Sequence, residues 1–564
     1  MQIKEFCQLL GKEIIKRKLK SQEEIIKLRN ELCKIHKPKQ IPSFVQLILA
    51  LNKTDREKLY PFLSTKPTRS ISGVSVVAVM TKPIKCPHAK KGKGPCIMCP
   101  GGPDSSFGNV PQSYTGNEPA SKRAKRNLYN PYFQIFNRLQ QYILLGHFPS
   151  KIELIIMGGT FPSFPTTYQN NFIKDCFKAL NDFSKLFLKD NKINWKKFIS
   201  FFELNFENRM DKQKEIHKKI KEIYNKRKTT LEKEQKSNEK TVSRCIALAI
   251  ETRPDYCTQK HINLMLKQGC TRVEIGVQSI YDSVLKKIER GHSVKETIEA
   301  TKLLKDSCLK VGYHLLLGAP GSSTKTDLKM LKEIFFNENF KPDALKLYPC
   351  MVFKGTKLYD LYKKKEYIPL TTEKAAKLIA EAKKYVPPYC RVIRVQRDIP
   401  SNLAAAGVDK TNLRQYVNKE LEKNKIICQC IRCKQITSKD KLGEIHLKRI
   451  HYLASEGKEI FLCLTTNQKL IGFCRLRIPS KDKNSLLLRE LHVYSESLPL
   501  KSKAKQGQFQ HRGFGKLLMQ EAEKIAKEFK KNKIIVISGI GAKEYYKNLN
   551  YKEERPYMIK SLKT

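Results

Sequence analysis

The sequence predicts an α/β protein: a partial parallel (β/α)6 barrel, then a smaller C-terminal α+β domain, joined by a zinc-like linker that carries cysteines. Three observations predict it. Six short apolar runs, at 73–79, 152–157, 244–250, 272–277, 311–317 and 345–348, alternate with helical stretches such as 120–145, 258–268, 294–304 and 324–336. Strands buried on both faces read as apolar runs, and parallel neighbours need a crossover helix between them. From residue 459 the pattern changes to closely spaced strands at 461–464, 470–476 and 486–493, followed by a helix over 513–529, a strand at 534–538 and a helix at 544–549. Two tight cysteine groups, at 86–99 and 428–433, mark a loop of the first region and the linker.

Taken in order, residues 1–70 form a basic helical segment, with apolar residues at helical spacing among cations around Ile14–Lys20 and Glu23–Arg29. Such a run is a solvated helix face or a phosphate-binding appendage. Residues 71–370 are the barrel, interrupted by 212–240, a stretch of nearly continuous charge that reads as an exposed insertion, either helical or partly mobile. Residues 371–455 are the linker, with a helix over 371–385 and a basic, strand-like piece at 391–400. Residues 456–564 are the last domain.

Lys and Arg total 109 against 54 Asp and Glu in 564 residues, a net charge of +55. That imbalance points to a polyanion partner. The 17 cysteines show no secreted-domain framework and suit a reducing cytosol with metal sites. No signal peptide or membrane span is expected, because the N-terminus lacks a long apolar stretch and no run of about 18 apolar residues occurs.

Cys86, Cys96 and Cys99 sit on one Gly- and Lys-rich loop. Three thiolates can hold three irons of a [4Fe–4S] cubane and leave the fourth open to S-adenosylmethionine. Zinc competes for the same spacing, but a structural zinc site wants a fourth protein ligand. The strand that follows ends in Gly158-Gly159, where a ligand or backbone can come close. Cys428, Cys430 and Cys433 form a second trio whose natural occupant is structural zinc, with His446, Cys463 and Cys474 as candidates for the fourth ligand.

These motifs together resemble the radical S-adenosylmethionine superfamily over about residues 73–356. Gly158-Gly159-Thr160 is similar to its glycine motif. Glu251-Thr-Arg-Pro254, Gly276-Val-Gln278-Ser279 and the run from His314 to Gly321 each close a strand, at the edge where a parallel barrel binds its ligands. The resemblance implies that Gly158, Gly159, Glu251, Gln278 and His314 bind S-adenosylmethionine. Against it stand an ordinary strand-end turn, a buried ion pair of Glu251 with Arg253, a Gln278 that serves a buried backbone group, and a satisfied barrel histidine. Nine residues separate Cys86 from Cys96 where the superfamily usually has three, a spacing found in the catalytic subunit of Elongator.

In the last domain, Gln510-His-Arg512-Gly513-Phe-Gly515 opens an amphipathic helix, and free N–H groups there can face a phosphate. The loop resembles that of the GCN5-related acetyltransferases. The resemblance implies acetyl-CoA binding by Leu491, Val493, Gln510, Arg512, Gly513 and Gly515, with Tyr545 or Tyr546 as the catalytic group at the thioester. Core packing is the competing role for either tyrosine, and a surface cation for Arg512. Over residues 70–560 the two domains together resemble the Elongator catalytic subunit.

That resemblance implies a tRNA-modifying acyltransferase that makes 5-carboxymethyluridine at wobble uridine 34. A deoxyadenosyl radical would take hydrogen from the acetyl methyl, the carbon would add to C5, and thioester hydrolysis would leave the carboxymethyl group. The implied cofactors are a [4Fe–4S] cluster, S-adenosylmethionine and zinc, with acetyl-CoA as substrate. The implied partner is the tRNA anticodon stem-loop in the cytoplasm, with room for a homodimer and accessory proteins. A protein lysine acetyltransferase with a structural iron–sulfur domain, or a non-enzymatic tRNA-binding scaffold, are the alternatives.

Overall fold

The computed structural model describes residues 1–65, 73–88, 92, 94–204, 212–437, 440–482, 484–494 and 513–562. The first region is built on seven parallel strands: β1 (Ser75–Met80), β2 (Lys151–Met157), β3 (Arg244–Thr252), β4 (Arg272–Gln278), β5 (Lys310–Leu317), β6 (Ala344–Pro349) and β7 (Arg391–Arg394). They lie side by side in chain order, and every neighbouring pair is parallel. Serial order with helices between is what right-handed crossovers produce. The helices carry their own start signals. Ser293 with Glu296, and Ser323 with Thr326, form capping boxes for Val294–Asp306 and Thr324–Phe336.

Four expectations need correction. The sheet has a seventh strand, because the basic piece assigned to the linker docks on the edge of β6. The single helix expected over 120–145 is two, Pro119–Arg126 and Pro131–Leu144. Leu128 and Tyr129 adopt positive φ, and the Asn130 side chain caps a new helix with Pro131 at its first position. The charged stretch 212–240 is not simply an exposed insertion. It is helical, as Gln213–Asn225 and Leu231–Asn238, but part of it is not exposed: Glu234, Gln235, Asn238 and Glu239 are buried. Glu234 pairs there with Arg227, and its side chain accepts from Asn181 at 2.7 Å. Finally, the linker ends in a strand of the next sheet, β8 (His446–Ala454).

The N-terminal residues make four helices closed around Phe6, Leu10, Ile14, Ile25 and Leu47. They dock on the barrel through Tyr60, whose hydroxyl donates to the Ile143 carbonyl at 3.0 Å. The second sheet adds β9 (Gly457–Thr466), β10 (Lys469–Ile478), β11 (Ser485–Val493), β12 (Lys533–Val536), β13 (Lys552–Glu554) and β14 (Tyr557–Ser561), in the order β8-β9-β10-β11-β12-β14-β13. Its one parallel pair is β11 with β12, joined from Ser485 to Leu488 on β11. Beyond Leu488 the two strands part and leave an opening.

The two sheets are locked together by buried charge. Arg489 on β11 reaches both oxygens of Asp343 at 2.7 Å and also Glu459 at 2.9 Å. Arg477 pairs with Glu459 and Asp306. Gly539 and Gly541 lie against the start of β3 so closely that a Cβ on either would collide with Ile246 or Arg244.

Candidate functional site

The first candidate pocket lies at the C-terminal edge of the barrel strands. Cys86, Cys96 and Cys99 line it, facing Gly159, Glu251, Gln278 and His314. Gly158 does not line it. Its carbonyl accepts from Thr81 Oγ1 at 3.2 Å, a Cβ would collide with that side chain, and its φ is +117°, so its glycine identity serves the turn and its packing. Gly159 and Gln278 both have positive φ, +100° and +67°, which turns the chain away from the strand ends.

The thiol loop has donors aimed at its sulfurs. Gln112 Nε2 donates to Cys99 Sγ at 2.9 Å, and Arg290 lies 3.7 Å from Cys96 Sγ. Arg290 is oriented by the Gly276 carbonyl at 2.7 Å, and Arg253 holds the Arg290 carbonyl at 2.8 Å. Cations and amide donors beside thiolates stabilise an anionic cluster, so these residues fit one. Gln112 and Arg290 carry no local sequence signal.

Under the pocket, Glu251 and Glu274 share the ammonium of Lys346, 2.8 Å from Glu251. His314 Nε2 sits 2.9 Å from Glu274, and the Tyr114 hydroxyl donates to Glu251 at 3.1 Å. Burial would raise Glu274, but Lys346, Arg272 and His314 outweigh it and hold the carboxyl well below its ordinary value. Burial and the nearby Lys346 lower His314 against the pull of Glu274. Glu251, Glu274 and His314 offer ligand atoms within 4.8 Å of one another, but the ammonium already takes the place a metal cation would need.

The second pocket fills the opening between β11 and β12. Leu491, Val493, Gly513, Gly515, Tyr545 and Tyr546 line it. Gly513 stands at φ +84° and starts the helix Phe514–Glu528. Gln510 and Arg512 lie outside the described residues. The two tyrosines separate clearly. Tyr545 is 39% exposed and its hydroxyl lies against Gly515, whereas Tyr546 is 6% exposed and packs on Tyr551. The far wall belongs to the barrel: Lys151, Arg244, Thr271 and Lys310, all at or next to strand starts. Sequence reasoning missed Glu490 and His492 on the pocket's β11 side. Glu490 is held by Lys310 at 3.3 Å and Arg475 at 2.8 Å. Against burial, these partners lower it to about 2, and burial lowers His492 to about 4.

In the linker, the sulfurs of Cys428, Cys430 and Cys433 lie within 4.8 Å of one another, a spacing that thiolates around tetrahedral zinc adopt. Cys86, Cys96 and Cys99 form no such tight group. Among the described residues, none of His446, Cys463 and Cys474 joins the linker trio. His446 is exposed and lies 3.7 Å from Glu444, and the two cysteines are buried in the second sheet. Instead the Lys383 ammonium approaches Cys433 Sγ at 3.5 Å and Cys430 Sγ at 3.9 Å.

Comparison with known proteins agrees with this layout. An ELP3 N-terminal domain matches residues 3–71, the radical SAM superfamily matches 186–334, a radical SAM C-terminal domain matches 342–423, and the acetyltransferase (GNAT) family matches 431–551. Among curated proteins, "tRNA uridine(34) acetyltransferase" of Methanocaldococcus infernus is 46% identical over 92% of each chain. "Elongator complex protein 3" of Homo sapiens is 38% identical over 93% of this chain and 90% of its own. The chain belongs to the Elongator complex protein 3 family. A solved structure of this family, the archaeal Methanocaldococcus infernus Elp3 with an N-terminus deletion (1-46), matches with a TM-score of 0.69 at 41% identity, covering 87% of this chain and all of that one. As in the family, the chain pairs a radical SAM barrel with an acetyltransferase domain, so it is an enzyme of the transferase class. Among the described residues no helix is long and apolar enough to cross a membrane.

Proposed function

We propose that this chain makes 5-carboxymethyluridine at wobble uridine 34 of tRNA, using acetyl-CoA and a radical S-adenosylmethionine route. One observation carries the reading: a cysteine-lined pocket at the barrel's strand ends and an acyl-CoA pocket walled by the starts of the same strands, in one chain. The archaeal relatives' name, "tRNA uridine(34) acetyltransferase", supports the substrate. The net charge of +55 suits an RNA partner. The far wall of the acyl-CoA pocket is formed by barrel residues, so the domain does not present that side as a free acetyltransferase surface.

C5 of uridine is a poor nucleophile toward a thioester. A [4Fe–4S] cluster with S-adenosylmethionine, when bound, supplies the 5′-deoxyadenosyl radical that makes carbon–carbon bond formation possible there. Cys86, Cys96 and Cys99 would hold the cluster, with Gln112 and Arg290 directed at the sulfurs. Gly159, Glu251, Gln278 and His314 would orient S-adenosylmethionine, with Gly158 shaping the turn. Gly513 and Gly515 would present backbone N–H groups to the pyrophosphate, with Gln510 and Arg512 on the same loop. Leu491 and Val493 would bind the pantetheine along the parted strand. Tyr545, whose hydroxyl reaches the pocket, would give its proton to the departing thiolate, and Tyr546 would serve the core. Cys428, Cys430 and Cys433 would hold a structural zinc. A nucleotide of the anticodon loop would be unstacked to enter the barrel pocket.

The test is anaerobic incubation of reconstituted protein with tRNA, S-adenosylmethionine, dithionite and methyl-deuterated acetyl-CoA. Nucleoside mass spectrometry should find carboxymethyluridine, and the 5′-deoxyadenosine should carry deuterium. Unlabelled deoxyadenosine alongside modified uridine would show that hydrogen is taken from elsewhere. The variant Gly513→Asp sets a carboxylate against phosphate. It should abolish acetyl-CoA binding and product while keeping the cluster's absorption.

A further inference from the structure

The two pockets share no lining residue and open at opposite ends of one sheet. Strands β2 to β6 are six to nine residues long, which at roughly 3.3 Å per residue separates the pockets by about 20–30 Å, so under the proposed function the acetyl group has to be carried across that distance before its methyl meets the radical. Between them, barrel interiors are ordinarily filled by branched apolar side chains. This one is filled by charge.

The charges form a connected series. At the acyl-CoA end, Lys310 pairs with Glu490 at 3.3 Å, and Lys310 stands beside Arg272 as its register partner on the neighbouring strand β4. Arg272 is held by Glu153 at 2.6 Å on one side and reaches Glu274 at 3.0 Å on the other. Glu274 is 1% exposed and bonds both His314, at 2.9 Å, and Lys346. Lys346 continues to Glu251, and His314 and Glu251 line the S-adenosylmethionine pocket. The period of two along each strand sets the series. Arg272 and Glu274 share one face of β4, and Lys310, Gly312 and His314 share one face of β5. Gly312 leaves room at mid-barrel for the Glu274 side chain, which a Cβ there would meet at 3.3 Å.

Burying this many charges costs stability that an apolar core would not, so the arrangement calls for a function. We propose that Glu274 is a positioning residue shared by both sites, so that a ligand in either pocket changes how tightly the other pocket binds. An acyl-CoA brings phosphates and a carbonyl to cations that now balance Glu490 and Glu153. Arg272 is the hinge of that balance. Any change in its pairing alters the charge that Glu274 presents to His314 and Lys346, and through them the orientation of Glu251. The inference rests on the proposed assignment of the two pockets to acetyl-CoA and S-adenosylmethionine. It requires neither tRNA nor modified nucleoside.

The experiment is anaerobic calorimetry on the reconstituted holoenzyme. S-adenosylmethionine is titrated with and without saturating CoA, and CoA with and without saturating S-adenosylmethionine. Coupling between sites is reciprocal, so both pairs of titrations should give the same factor, about fivefold or more. The isosteric change Glu274→Gln should reduce that factor to about twofold or less while iron content and the affinity for CoA alone are retained. A merely structural role would lower stability without removing the coupling. Glu153→Gln, far from the S-adenosylmethionine pocket, should weaken the coupling too, and serves if Glu274→Gln does not fold. Wild-type affinities that ignore the second ligand would overturn the proposal, as would a full coupling factor in the folded variant. If either ligand fails to bind the wild type at all, it is the pocket assignment that falls.

Discussion

Asp343 is the residue on which the two sheets converge. It receives Arg489 through two bonds at 2.7 Å and the Val311 N–H at 2.8 Å, and it lies 3.5 Å from Arg475. Replacing it with Ala leaves Arg489 with Glu459 and Arg475 with Glu490 as their remaining carboxylates, and breaking a buried pair costs about 3–5 kcal/mol. Thermal denaturation of Asp343→Ala should show that loss. Burial would raise the Asp343 carboxyl, but Arg489 and Arg475 outweigh it and hold the group far below its ordinary value. The stability it contributes is therefore complete above the unfolded value of about 4. It is lost as pH falls from there toward the folded value. Urea unfolding followed between neutral and acid pH should show a declining limb that is shallower in Asp343→Asn. At the same scale, changing any two of Cys86, Cys96 and Cys99 to Ala should remove iron and its visible absorption after reconstitution. Unchanged iron content would rule these thiols out as the cluster's ligands.

At the scale of elements, the turn 539–542 joins the acetyltransferase sheet to strand β3. Gly539 has an ordinary negative φ, so its requirement is space alone. Gly539→Ala would press a methyl group onto the Ile246 backbone, and overpacking of this kind costs about 1–3 kcal/mol. Because the turn also walls the pocket proposed to bind acyl-CoA, CoA affinity should fall with stability. A variant that melts like the wild type and binds CoA as tightly would mean that the turn shifts freely. The N-terminal helices make a different prediction. They pack on the barrel through Tyr60, which also meets Trp195 edge-on at 5.2 Å. Deleting residues 1–65 should weaken tRNA binding evenly across sequences. It should also flatten the salt dependence by about 0.7–0.9 log units for every phosphate these helices neutralise. An unchanged salt slope would leave these helices a solvated face.

At the scale of the molecule, the acetyltransferase fold is not an independent module. Its pocket between β11 and β12 borrows a wall from the barrel, and Arg475, Arg477 and Arg489 of its sheet are among the largest fully buried side chains. Such interfaces predict joint unfolding. Calorimetry of the full chain should show the two sheets melting in one transition. Asp343→Ala should split it, with the linker cut first in limited proteolysis. Two wild-type transitions would mean that the buried ion pairs do not couple the domains.

Much of this molecule was legible from sequence alone. The six apolar strands, the capped helices between them and both cysteine trios are local patterns, since burial period and cap chemistry act over a few neighbouring residues. The tertiary structure decided what depends on distant partners. Local sequence does not show that β7 docks beside β6, that the charged helix Leu231–Asn238 finds Asn181 and Arg227, or that Tyr545 is exposed at the pocket while Tyr546 is buried against Tyr551. The barrel's charged interior is the clearest case. Arg272-x-Glu274, Lys310-x-Gly312-x-His314 and Lys346 are visible as charges at alternate strand positions, and that alternation was a usable signal. Which charge meets which is set by register between strands, and the partners Glu251 and Lys346 are 95 residues apart. A buried charge is stable only with its partner in place. The sequence therefore supplied the charges, and only the packing of the strands determined which of them pair.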